Sequence, residues 1–123
     1  MEFHFNNEQP IYRQIAAQIS AAIFNGSFPE GSQVPSTTEI SKRFNVNPAT
    51  ILKGMNQLVD QGLLEKRRGL GMFVTVGAQE QLQRVRKAQF LEHDVQQFIH
   101  AAQALNISAD ELQQLIGEGY SDE

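Results

Sequence analysis

Residues 45–54, NVNPATILKG, interrupt a pattern that otherwise reads as helix: Ile40 and Phe44 precede them, and Ile51, Met55, Leu58 and Val59 lie in or after them. Proline has no backbone N–H and drives the residue before it out of the helical region, so Asn47-Pro48 marks a broken helix or the junction of two. Asn47 is a good N-cap and Pro48 a good first helical residue. A helix starting there carries Ile51, Leu52, Met55, Leu58 and Val59 as its apolar positions and stops at Gly62. Upstream, Ser36 stands three residues before Glu39 in STTE, the spacing of a capping box, which predicts a short helix ending near Phe44. Two helices separated only by residues 45–47 must turn sharply against each other, as in a helix-turn-helix.

The neighbouring text extends this reading. From Pro10, the residues Ile11, Ile15, Ile19, Ala22 and Ile23 share one helical face, and Gly26 supplies a stop. The segment SFPEGSQVP has the composition of a connecting loop. Phe3 and Phe5 in FHF either form a short strand or fold onto the core. After Gly62, LLEKRR and MFVTV are short runs of strand character joined by Gly69-Leu70-Gly71, a β-hairpin. A hairpin with a basic tip directly after a helix-turn-helix makes a winged helix-turn-helix over residues 1–77.

Residues 78–123 read as a helical tail. A long helix begins near Gln79, with Leu91, Val95, Phe98, Ala102 and Leu105 at alternating spacings of four and three, a seam made to face another helix. A second helix follows, with Ser108 and Glu111 as a possible capping box, Leu112, Leu115 and Ile116 as its stripe, and Gly117 as its expected stop. The terminal YSDE is expected to fray. Such a pair cannot bury its own stripe, so a second subunit is the expected cover, with packing against the winged domain as the alternative. The fold class is therefore mainly α with a small hairpin: a winged helix-turn-helix followed by a two-helix dimerisation tail.

Composition narrows the function. The 123 residues contain no cysteine, which removes disulfides, thiol nucleophiles and cysteine-ligated zinc. No apolar run is long enough to span a bilayer and the N-terminus lacks a signal peptide's charge and apolar core, so a cytoplasmic location is expected. The net charge of -4 conceals an uneven distribution: Lys and Arg number 7 against 6 acids in residues 1–77, and 3 against 8 in residues 78–123. A local basic face attracts phosphate whatever the total. Double-stranded DNA is the expected partner. His93 and His100 lie near Glu92 and Asp94, but one histidine per two turns is ordinarily solvated, so no metal is expected, nor any cofactor.

A recognition helix enters the major groove by its N-terminal turn. Here that turn holds Asn47, Pro48, Ala49 and Thr50, with Lys53 one turn later. Ala49 and the Thr50 methyl suit a thymine methyl, the Thr50 hydroxyl suits base or phosphate, and Lys53 suits phosphate or guanine. Capping alone accounts for Asn47 and Pro48. On the hairpin, Lys66, Arg67 and Arg68 stand beside Gly69, and strand alternation allows only some of them to face DNA.

PIYRQIAAQI, then GSQVPSTTEISKRFNVNPATILKGMNQLVDQGLLEKRRGLGMFV and the short helical tail, resemble a GntR-family transcription regulator of the YtrA subfamily over nearly the whole chain. The resemblance implies a dimeric repressor reading an inverted-repeat operator, often in its own promoter ahead of ABC transporter genes. By position it assigns DNA contact to Ser36 and its neighbours Thr37 and Thr38, to Pro48, Ala49, Thr50 and Lys53, and to Arg68 and Gly69. Two positions depart from the family: Thr38 stands where arginine is common, and Ala49 where asparagine is. Both lack a long polar donor, which shifts the expected burden of specificity to the wing and to DNA shape. A small-molecule effector is too large for 46 tail residues to enclose and is expected at the dimer interface or between tail and reader. The alternative is a winged-helix protein-interaction module. An enzyme has little support: GLG lacks the third glycine of a dinucleotide fingerprint, and no phosphate loop or catalytic triad is spaced usefully.

Overall fold

The computed structural model describes residues 1–121, and Asp122 and Glu123 lie outside the described residues. The elements in chain order are α1 (Ile11–Phe24), α2 (Thr37–Phe44), α3 (Pro48–Asp60), β1 (Leu64–Arg67), β2 (Gly71–Val74), α4 (Ala78–Gln89), a π-helical turn (Phe90–Asp94), α5 (Val95–Ala104) and α6 (Ala109–Ser121). Two compact units divide after Arg84.

The first unit is a winged helix-turn-helix. Its core is built from the expected apolar positions: Ile15, Ile19 and Ile23 of α1, Ile40 of α2, Ile51, Met55 and Leu58 of α3, and Leu63, Leu64, Met72 and Val74 around the hairpin are all buried. Burying each large aliphatic side chain contributes about 1.5–3 kcal/mol, opposed by ordering entropy. Leu52 is the exception, 41% exposed. It follows Ile51 by one residue, and about 100° of helical rotation carries it off the core face.

Gly54 lets α1 and α3 pack backbone to side. A Cβ there would lie 2.6 Å from the Tyr12 carbonyl oxygen and 3.1 Å from Cγ2 of Ile15. The turn between α2 and α3 is made by Asn45, whose φ of 55° puts it in the left-handed region that asparagine tolerates.

β1 and β2 pair antiparallel, with Leu64 opposite Val74 and Arg67 opposite Gly71. The expected connecting loop before α2 does more than connect. The Gly31 N–H donates to the Val74 carbonyl at 2.8 Å, Val74 N–H to Ser32 at 2.9 Å and Val34 N–H to Met72 at 3.0 Å, so β2 is bonded on both edges. Gln33 Nε2 donates to the Leu70 carbonyl at 2.6 Å and ties down the hairpin tip.

At the N-terminus, no strand forms over FHF. Phe3 is buried and stacks on Phe5, with Phe44 edge-on to both. Gln18 holds the segment through its side-chain amide, Oε1 accepting from His4 N–H at 3.0 Å and Nε2 donating to the His4 carbonyl at 2.7 Å.

Ala78 and Leu82 at the start of α4 belong to the first unit's core, which is why that unit runs past residue 77. In the second unit, the expected single long helix contains the π-helical turn, whose extra residue shifts the register of the Leu91, Val95, Phe98, Ala102 and Leu105 seam. Helix α5 ends at a left-handed Asn106 (φ 59°), with Ile107 N–H donating to the Ala102 carbonyl at 3.0 Å. Ser108 caps α6 by accepting the Glu111 N–H at 3.2 Å.

Two expectations for this helix need correction. Gly117 does not stop α6, and Tyr120 and Ser121 of YSDE are helical rather than frayed. Neither Gly117 nor Gly119 takes a positive φ, and the Ser121 hydroxyl donates to the Gly117 carbonyl at 2.9 Å, closing the final turn. Among the described residues, no helix is long and apolar enough to cross a membrane.

Candidate nucleic-acid interface

Three elements of the first unit supply the surface. The Ser36 hydroxyl accepts the Glu39 N–H at 3.1 Å while the Glu39 carboxylate accepts the Ser36 N–H, the full capping box that STTE predicts. Its oxygen is committed to the cap, but its hydroxyl proton stays available to a phosphate. Thr38 is exposed in the same turn and Thr37 half-buried.

The opening of α3 has the geometry expected from its sequence. Asn47 Oδ1 accepts the Ala49 N–H at 2.9 Å, and Pro48 is the first helical residue. Asn47, Pro48, Ala49 and Lys53 are exposed and Thr50 is half-buried. The helix dipole favours phosphate at this end, while its first N–H groups are already engaged: Pro48 has none, Ala49 donates to Asn47 Oδ1, and Thr50 and Ile51 donate to the Asn47 carbonyl at 3.0 and 3.2 Å. Ser36, Thr37, Leu52, Met55, Lys66, Gly71 and Met72 line one small pocket, so the start of α2, the Leu52 edge of α3 and the wing strands converge. The exposed Leu52 thus borders the candidate surface, which its spacing in the sequence hid.

The wing divides its basic run. Lys66 is in that pocket. Arg67 points elsewhere: its guanidinium donates to the Glu65 carboxylate at 2.8 and 3.1 Å and lies over the Phe73 ring at 4.1 Å. Pairing with Glu65 offsets its charge locally. Arg68 is exposed at the tip beside Gly69, whose φ of 77° the turn requires. Arg43 is likewise engaged, with Glu2 and across the Phe44 ring.

Lys53 has a neighbour that spacing alone did not single out. Its Nζ lies 4.1 Å from the centroid of the Tyr12 ring, on α1. Tyr12 Oη accepts the Nε–H of Arg13 at 3.1 Å. That hydrogen bond, with the Arg13 and Lys53 charges behind it, holds the phenol pKa below its ordinary value, against a partial desolvation acting the other way.

Comparison with known proteins agrees with this geometry. The family model "Bacterial regulatory proteins, gntR family" matches residues 11–74, from the start of α1 to the end of the wing. The chain belongs to the GntR family. Among its GntR relatives, the transcriptional repressor YtrA of Bacillus subtilis is 28% identical over 89% of this chain and 83% of its own length, so the likeness extends into the tail. A crystal structure of a GntR-family regulator from Bacteroides thetaiotaomicron superposes with a TM-score of 0.70 at 32% identity, covering 91% of this chain and 97% of that one. The AraR DNA-binding domain, solved in complex with operator ORX1, matches with a TM-score of 0.56 at 32% identity over 61% of this chain and 96% of that one. The chain spans 14%, 27% and 65% of the length of three further curated relatives that it matches.

The tail residues expected at a dimer interface remain largely uncovered within one chain. Phe98, Leu105, Leu115 and Ile116 are 51%, 72%, 56% and 49% exposed, Leu91 is also exposed, Val95 and Leu112 are half-buried, and Ala102 alone is buried. Leu91, Val95, Phe98 and Ile116 line a groove of about 720 Å3 with Phe90, Asp94, Gly119 and Tyr120.

Proposed function

We propose that this chain is a sequence-specific DNA-binding transcription regulator of the cytoplasm, acting as a homodimeric repressor on an inverted-repeat operator. The observation that carries this reading is the convergence of the capped start of α2, Leu52 of α3 and Lys66 of the wing on one pocket, with Leu52 also bordering the groove that Ala49 and Lys53 line. Ser36, Thr37 and Thr38 flank the phosphates, Ala49, Thr50 and Lys53 read the major groove, and Lys66, Arg68 and Gly69 engage the groove edge. Arg67 contributes least to binding, and Asn47 and Pro48 hold the reading turn in shape. The likeness to the repressor YtrA supports repression; an operator in the chain's own promoter, ahead of ABC transporter genes, is what the subfamily resemblance implies. No enzymatic activity belongs to this reading.

The uncovered apolar face of the tail supports dimerisation through Leu91, Val95, Phe98, Ala102, Leu105, Leu112, Leu115 and Ile116. Two reading heads then address half-sites about one helical turn, or a multiple of it, apart. A small-molecule effector is assigned to the same dimer interface.

Selection from a random duplex pool, followed by salt titration, tests the reading. It expects a palindromic consensus whose binding weakens steeply with salt. The Lys53→Ala/Arg68→Ala pair should abolish that binding while sedimentation still reports a dimer. Binding indifferent to sequence and salt, or unaffected by the pair, would establish the interaction module instead.

A further inference from the structure

The groove along the outer side of α3 is bordered by a residue of α1. It encloses about 440 Å3 and is lined by Tyr12 together with Ala49, Leu52, Lys53, Asn56, Gln57 and Asp60. Ala49 belongs to the opening turn of α3 and Lys53 lies one turn later, so Tyr12 stands at the edge of the proposed reading surface. Three donors meet there. The Lys53 ammonium rests on the Tyr12 ring at 4.1 Å, and Arg13 bonds Oη through Nε alone. That leaves the Tyr12 hydroxyl proton and the remaining guanidinium N–H groups without a hydrogen-bond partner among the described residues. Arg13 is exposed and forms no ion pair with a carboxylate among the described residues. Asp60 lies at the C-terminal end of α3 and keeps that end of the groove unattractive to an anion.

We propose that Tyr12 and Arg13 form a backbone-phosphate clamp that brings α1 into the DNA footprint, with the Tyr12 ring positioning Lys53 beside it. This rests on the DNA-binding reading above. The chemistry suits a phosphodiester: Arg13 presents a planar charged fork, Tyr12 adds a neutral hydroxyl donor, and the aromatic face limits the directions in which Lys53 extends. A contact of this kind fixes the approach of the protein to the duplex without reading sequence. It adds affinity but does not replace the specificity that long donors at Thr38 and Ala49 would supply. The Arg13 bond that eases phenol ionisation also polarises Oη–H, making it the better donor to an anion.

The test uses the full chain and two fluorescent probes: a 30-base-pair duplex of random sequence, and the best duplex selected by the unmodified protein. Arg13→Ala should weaken both probes alike and reduce the slope of log affinity against log salt by about 0.9 for each protomer bound. Arg13→Lys should restore the slope. Tyr12→Phe should weaken both probes with the slope unchanged, since it removes a neutral donor. Tyr12→Leu should make a further Lys53→Ala change less costly than in the parent, because the lysine has already lost its support. Both side chains sit at the surface, and circular dichroism confirms that the variants fold. An Arg13→Ala protein with parental affinity and slope, where Lys53→Ala and Lys66→Ala still weaken binding, overturns the clamp and leaves the DNA reading intact. If the Lys53 and Lys66 changes are silent as well, the DNA reading itself fails.

Discussion

Replacing Gly54 with alanine isolates the contact that sets α1 against α3. The new Cβ would stand 2.6 Å from the Tyr12 carbonyl oxygen, where ordinary contact begins at 3.4 Å, so about 0.8 Å must be found. The obstacle is backbone and cannot rotate away, and Ile15 closes the same side at 3.1 and 3.2 Å. Overpacking of this kind costs about 1–3 kcal/mol, whereas alanine gains about 1 kcal/mol over glycine in a helix interior. With a backbone atom as the obstacle the cost lies at the upper end, which leaves a net loss of about 1–2 kcal/mol. For a unit of this size that lowers Tm by about 5–15 °C. Gly117 is the control: it is helical, exposed, has no positive φ, and a Cβ there meets nothing within 4 Å. Gly117→Ala should therefore stabilise the tail, by up to about 1 kcal/mol. Urea unfolding followed by circular dichroism measures both, with changed midpoints at an unchanged m-value. A Gly54→Ala protein as stable as its parent would refute the close approach.

Other consequences follow from the same geometry. Asn47→Ala removes the cap on the Ala49 N–H and should cost about 1 kcal/mol by urea unfolding, while Asn47→Gly should cost only a few tenths. On the wing, Arg67→Ala should change affinity for the selected duplex far less than Lys66→Ala or Arg68→Ala, because Arg67 is already held by Glu65; equal losses would mean that this pair opens on DNA. Phe98→Glu with Ile116→Glu should convert the proposed dimer to a folded monomer in sedimentation, since both occupy the uncovered tail groove, and an unchanged sedimentation coefficient would place the interface elsewhere. Tyr12 should ionise below the usual tyrosine value near 10 in a spectrophotometric titration, and Arg13→Ala should move it back up. Its ionised form is favoured by folding, so the linked stabilisation is complete above the unfolded value and is lost as pH falls through the folded one. Stability near neutrality should not respond to Arg13→Ala through this route.

The sequence alone determined the elements and their joints, because the forces that set them act within a few residues. Ser36 and Glu39 close a capping box, Asn47 and Pro48 start α3, the isoleucines of α1 share a face, and glycines bracket the wing turn. Each of these is legible from spacing and backbone preference. The elements of the candidate site were legible to the same depth: the start of α3 and the wing could be named in order along the chain. Tertiary structure decided what meets what. Only folding brings the Tyr12 carbonyl against Gly54, sets Lys53 on a ring of another helix, and bonds residues 31–34 to the far edge of β2. It also diverts Arg67 to Glu65, leaves Leu52 at the surface, and carries α6 through Gly117, because a helix with closed hydrogen bonds tolerates a glycine that pattern reading takes for a stop. Periodicity reports which face of an element is apolar. The neighbour that covers the face, or the charge that neutralises a side chain, is supplied by residues far away in sequence, and no local spacing encodes it.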